Sequence, residues 1–135
     1  MKFTRLIFLV FTLIFSSLGY AQEATQMQRV ITAHDEAMDK MPHLVKLVNK
    51  LNPLVDSTQV GKRNQEAIDD LKTSNKSMMN WMQGFGERFT ADEMMKGKTL
   101  SDKKKVWLNE EEIKIKALHD QINSSIKKAE ELLKQ

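Results

Sequence analysis

From Thr25 to Leu51 apolar or amphipathic positions return in alternating steps of four and three, at Met27, Ile31, His34, Met38, Met41, Val45 and Val48. That spacing is a heptad seam and predicts a long amphipathic helix. Pro42 falls inside it. Proline lacks an amide donor and its ring clashes with the preceding turn, so a kink is expected near Met38. The stripe keeps its phase across the proline, which favours a kink over a break. Asn52 to Thr58 reads as a compact connection, with Asp56, Ser57 and Thr58 as candidate N-caps. A second helix is expected to about Phe85, its stripe running through Val60, Ala67, Leu71, Met78, Met82 and Phe85. Asn64 and Ser74 fall near that seam, and Gly84 and Gly86 mark its expected end.

Thr90 followed by Glu93 has the spacing of a capping box, and Gly97 can close a short helix over 91–96 that carries Met94 and Met95. Ser101 is the expected N-cap of a last helix with Leu108, Ile115, Leu118, Ile122, Ala129 and Leu132 on one seam. Alternating β-branched segments are lacking, so no strands are expected. The elements predict an all-α fold, an antiparallel up-down-up three-helix bundle with coiled-coil-like seams, roughly 40 to 50 Å long.

The first residues follow a different pattern. Lys2 and Arg5 precede an apolar run from Leu6 to Phe15, and small residues follow at Gly19 and Ala21. This is the pattern of a secretion signal over 1–21, with cleavage expected after Ala21. The apolar run, about ten residues, is too short for a membrane span. Residues 22–135 then form a single domain of a periplasmic or secreted protein. Lipidation would need a cysteine at the start of the mature chain, and the sequence has no cysteine, which also removes any disulfide framework.

The leader also distorts the charge. The chain has 21 Lys and Arg against 18 Asp and Glu, but Lys2 and Arg5 leave with the leader, so the mature domain carries only about +1. Long-range attraction to nucleic acid has no support at that balance. Four of the six Phe and the one Tyr also lie in the leader. Trp81, Phe85, Phe89 and Trp107 are the remaining aromatics, so the core depends on aliphatic side chains and thioethers.

One end of the expected bundle gathers Met27, Ile31, His34, Met78, Met79, Trp81, Met82, Phe85 and Trp107. From this set Met78, Met79, Trp81, Met82, Phe85 and Trp107 are candidates for a partner-binding face. A second reading is soft-metal binding, because thioethers and imidazoles on one helix face suit Cu(I), and His34, Met38, Met41 and His43 have nearly that spacing. A third is non-covalent haem held between Met38 or Met41 and His119. The bland alternative to both is a methionine-rich core with hydrogen-bonded histidines. No histidine has a Glu three residues before it, so the paired Glu-x-x-His sites of di-metal bundles are absent. H-E-x-x-H, phosphate-cradling glycine loops and nucleophile elbows are absent too. No catalytic residues are therefore assigned, and the expectation is a protein that is not an enzyme. Lys103, Lys104 and Lys105 sit in the first turn of the last helix, where positive charge opposes the helix dipole. They read as a solvated surface or, less economically, as a contact for an anionic partner.

The segments His34-Asp35-Glu36-Ala37-Met38-Asp39-Lys40-Met41-Pro42 and Met78-Met79-Asn80-Trp81-Met82, with Phe85 and the Glu-rich start of the third helix, resemble a family of small exported helical proteins of Bacteroidota. That family often carries the label "viral A-type inclusion protein", which implies no viral role. The resemblance covers most of the mature chain. One departure is that Pro42 follows Met41, whereas the family's proline tends to precede the second Met. The resemblance implies helical architecture and export, and transfers no site residues. The expected function is non-catalytic binding of a protein or envelope component.

Overall fold

The computed structural model describes residues 22–134, and no strand occurs among them. The leader expected over 1–21 and Gln135 lie outside the described residues. The helices are α1 over 22–38, α2 Met41–Leu51, α3 Gln59–Arg88, α4 Ala91–Met95 and α5 Asp102–Leu132, with a single 3₁₀ turn at Asn52–Leu54. α1 and α2 form a bent first arm, α3 returns antiparallel, and α5 runs back alongside the first arm. The up-down-up bundle and the short extra helix expected from the sequence are both present.

The bend is local. Lys40 donates to the Ala37 carbonyl at 3.1 Å, a bond of the tighter 3₁₀ type, and its backbone stays in the right-handed region at φ −85°, ψ −16°. Pro42 then occupies the first turn of α2, where its missing N–H is not needed. The chain thus interrupts the helix for residues 39–40 without losing the phase of the apolar stripe.

The buried row on this arm is Met27, Val30, Ala37, Leu44, Leu47 and Leu51. The seam expected through Ile31, Met38 and Val45 is therefore displaced by one position; Ile31 and Met38 pack on its flank and Val45 is 52% exposed. Both rows are apolar, so periodicity alone does not choose between them, and the interior takes the row containing the small Ala37.

On α3, Val60 and Met82 turn outward, while Asn64 and Ser74 are buried. Both of these buried polar side chains have partners. Asn64 Nδ2 donates to the Leu54 carbonyl at 2.9 Å, tying α3 to the connection. The Ser125 hydroxyl donates to the Ile122 carbonyl, so Ser74 donates to Ser125 Oγ across 3.0 Å. Neither Gly84 nor Gly86 ends the helix, which runs on to Arg88 and stops where Phe89 becomes extended and buried.

At the turn, Thr58 Oγ1 accepts the Gly61 N–H, and Asp56 Oδ1 accepts both the N–H and the hydroxyl of Thr58. These bonds hold the Asp56 carboxyl below the ordinary carboxylate range. Gly61 is required by close approach: a Cβ there would stand 2.4 Å from Asp56 N and 2.6 Å from Asp56 O.

Register is repeated along the molecule. Gln26, Arg29, Lys40 and His43 reach Asn109, Glu112, Asn123 and Glu130, always 83 to 87 residues ahead. Across the antiparallel pair, Asp70 meets Lys128, Ser74 meets Ser125 and Arg88 meets Glu110. The interior divides into two apolar clusters. One holds Val30, Ala37, Met78, Phe85, Leu108, Ile115 and Ile122; the other holds Leu44, Leu47, Leu51, Ile68, Leu71 and Ala129. The Ser74–Ser125 pair lies between them in sequence on both helices, and Met41 and Ile126 pack against both.

Candidate functional site

The first cluster opens on one side into an apolar groove of about 300 Å³ lined by Ile31, His34, Asp35, Trp81, Met82, Phe85, Gly86, Met94 and Met95. Trp81 and Phe85 of this lining belong to a run of rings in contact. The successive turns of α3 place Trp81, Phe85 and then Phe89 on one face, with centroids 4.8 and 4.9 Å apart. His34 continues the run from α1, 5.7 Å from Trp81. Its Nδ1 meets Asp35 Oδ1 at 2.9 Å, a contact between chain neighbours despite the divergence of consecutive helical side chains. The Trp81 Nε1 is buried and finds no hydrogen-bond partner among the described residues.

The other wall is α4, and its position has a clear cause. Thr90 Oγ1 accepts the Glu93 N–H while the Glu93 carboxylate accepts the Thr90 N–H, the reciprocal cap expected from the sequence. Glu93 is buried, and Lys104 Nζ from α5 donates to both its oxygens at 2.9 and 2.7 Å. Burial pushes the Glu93 carboxyl up, but Lys104 and the Thr90 donors outweigh it and hold the group below its ordinary range. Gly97, at φ +64°, supplies the left-handed residue that turns the chain away after α4. Met94 is thereby packed on the core and Met95 left 77% exposed at the groove mouth.

The six residues expected to form one partner face are divided. Met78 and Phe85 are buried in the core, Trp81 and Met82 line the groove, and Met79 is exposed outside the groove lining. Trp107 lies apart, with the Arg88 guanidinium 5.2 Å and the Lys103 ammonium 4.7 Å from its ring. Consecutive positions on a helix diverge by about 100°, so the 78–82 segment cannot present one surface. Met94, Met95 and Asp35 complete the groove instead. The capping box signalled the short helix but not the face against which it docks.

The metal and haem candidates go to separate surroundings. His34 stacks on Trp81, whereas His43 pairs with Glu130 at 2.8 Å. The two lie nine residues apart, about 13 Å along the arm, too far to share an ion. Met38 packs on the first cluster and Met41 bridges both. Among the described residues no group of three or more His, Asp or Glu gathers in metal-holding geometry. His119 sits on a polar rim, 3.0 Å from Lys40 Nζ and 3.1 Å from Asn123 Nδ2, while Ala37, Ile115, Leu118 and Ile122 fill the core at this level.

The three lysines of the first turn of α5 are each engaged within the protein. Lys103 stands over Trp107, Lys104 holds Glu93, and Lys105 pairs with Glu23 at 2.9 Å and Asp102 at 3.5 Å. The following glutamates are committed too. Glu110 and Glu111 bind Arg88, and Glu112 binds Arg29, whose hydrogen bond holds the Glu112 carboxyl below its ordinary range against partial burial. Comparison of the chain with protein families, with curated proteins and with solved structures finds no match to any of them.

Proposed function

We propose that the chain is an exported, non-catalytic binding module that takes an apolar side chain of a partner protein into the Trp81 groove. The groove itself carries this reading: it leaves aromatic and thioether side chains uncovered together on one side of the bundle. Its volume is at the small end of ligand sites. The lining holds no Lys or Arg, and Asp35 is its one charged residue, so an anionic headgroup or phosphate has no counter-charge there while an apolar anchor flanked by a cationic residue is complemented. Methionine suits the task because its flexible thioether adapts to the shape of a partner. The leader pattern at 1–21 and the resemblance to small exported helical proteins of Bacteroidota support the exported setting.

Site-specific photocrosslinking in producing cells tests this. A photoreactive residue replacing Met95, at the groove mouth, is expected to trap one discrete protein. The same residue replacing Ile113, which is 71% exposed on α5 and outside the groove lining, is expected to trap none. Equal products from both positions, or none from either, defeat the proposal.

A further inference from the structure

We infer that Met82 and Met95 form an oxidation site that controls the groove: conversion of their thioethers to sulfoxides by a peroxide closes it to apolar ligands. The inference rests on the groove being the binding face.

The eight methionines of the mature chain are the only sulfur it contains, and they fall into sharply different environments. Met78 and Met27 are buried at 0% and 4% exposure, whereas Met95, Met79 and Met82 are exposed at 77%, 56% and 38%. Thioether oxidation follows access, so the exposed group reacts first. Two of its three members, Met82 from α3 and Met95 from α4, face each other's element across the same groove. Met79 is just as open but stands outside the lining, which gives the molecule a built-in control.

The chemistry is a two-electron oxygen transfer. A sulfur lone pair attacks one peroxide oxygen, the O–O bond breaks as the S–O bond forms, and the proton on the attacked oxygen passes, directly or through solvent, to the departing hydroxyl, which leaves as water. The product is longer, polar and chiral where an apolar, adaptable side chain stood. Because Met82 adjoins Trp81 and Met95 forms the mouth, two sulfoxides would set strong, hydrated acceptors into a lining whose polar side-chain groups are only those of His34, Asp35 and the Trp81 indole, and an apolar ligand would have to displace that water. Methionine sulfoxide reductase reverses the change.

The test uses the full mature protein treated with graded hydrogen peroxide, peptide mass mapping, and N-phenyl-1-naphthylamine as a neutral fluorescent probe of the groove. Expected are sulfoxides at Met95, Met79 and Met82 before Met78 and Met27, with a loss of probe affinity of at least about tenfold that reductase restores. M82L/M95L is expected to keep its probe affinity through the same treatment, and M79L to lose it as the wild type does. Probe affinity unchanged in the oxidised wild type, or lost equally in oxidised M82L/M95L, overturns the inference while leaving the groove as a binding face. Failure of the untreated protein to take up probe counts against the groove reading and the oxidation switch together.

Discussion

Gly61 and Gly84 are both helical glycines of α3, and the structure predicts opposite outcomes for replacing them with alanine. A Cβ at Gly61 meets the Asp56 backbone at 2.4 and 2.6 Å, where ordinary contact begins at 3.4 Å. The 55–57 segment must retreat by about 1 Å, and overpacking of this kind costs about 1 to 3 kcal/mol. The retreat also weakens the Asp56 bonds that orient Thr58 as the α3 cap, worth about 1 kcal/mol. Against these stands the helix preference for Ala over Gly, about 1 kcal/mol. The net expectation for Gly61→Ala is a loss of about 2 kcal/mol, or about 8 °C in Tm for a domain of this size. Gly84 has no atom within 4 Å of a built Cβ, so Gly84→Ala keeps the propensity gain alone and stabilises by about 0.5 to 1 kcal/mol. Urea unfolding followed by circular dichroism measures both. If the two variants shift the midpoint in the same direction, the close approach of the turn to Gly61 is wrong.

Glu93→Gln tests the anchor of α4. Glu93 is held below its ordinary value of 4.5, so its stabilisation is present above that value and lost as pH falls through the lowered one. The variant is expected to be about 2 kcal/mol less stable near neutrality and to lose less than the wild type as pH falls below 4.5, as read by urea unfolding across pH. An equal acid response in both would reject the pairing as a source of stability. Ser74→Ala should cost about 1 kcal/mol, because Ser125 keeps its bond to Ile122 and loses only the second partner. Adding Ser125→Ala should cost little more, and fully additive losses would mean that the two hydroxyls act independently.

Much of this architecture is written in short-range signals. Thr58, Thr90 with Glu93, Ser101 and Gly97 are local devices whose partners lie within a few residues, and each acts as its spacing implies. The first arm shows where such reasoning ends. Ile31, Met38 and Val45 are as apolar as Val30, Ala37 and Leu44, and only the approach of α3 and α5 decides which row is buried. Glycine misleads for a related reason: Gly84 and Gly86 permit a helix end without requiring one, and burial of Phe89 carries α3 past both. At the site, Trp81, Met82, Phe85 and His34 belong to the sequence's own Met and Trp concentration. Met94 and Met95 join them only because a lysine eleven residues beyond Glu93 draws α4 down onto the bundle. That contact crosses an irregular segment, where no periodicity carries information.

The hydroxyl pair of Ser74 and Ser125 sets a polar seam across an otherwise oily interior, at the level where the first arm also loses its helical regularity. The pair fixes register, because sliding α3 past α5 by one turn would leave both hydroxyls in apolar surroundings without each other. The end bearing the rings and thioethers is in turn tied across its helices by Arg29 to Glu112, Lys105 to Glu23 and Lys104 to Glu93. The two hydroxyls thus act as a key between two apolar clusters, holding the Gly61 end and the Trp81 end in a single alignment.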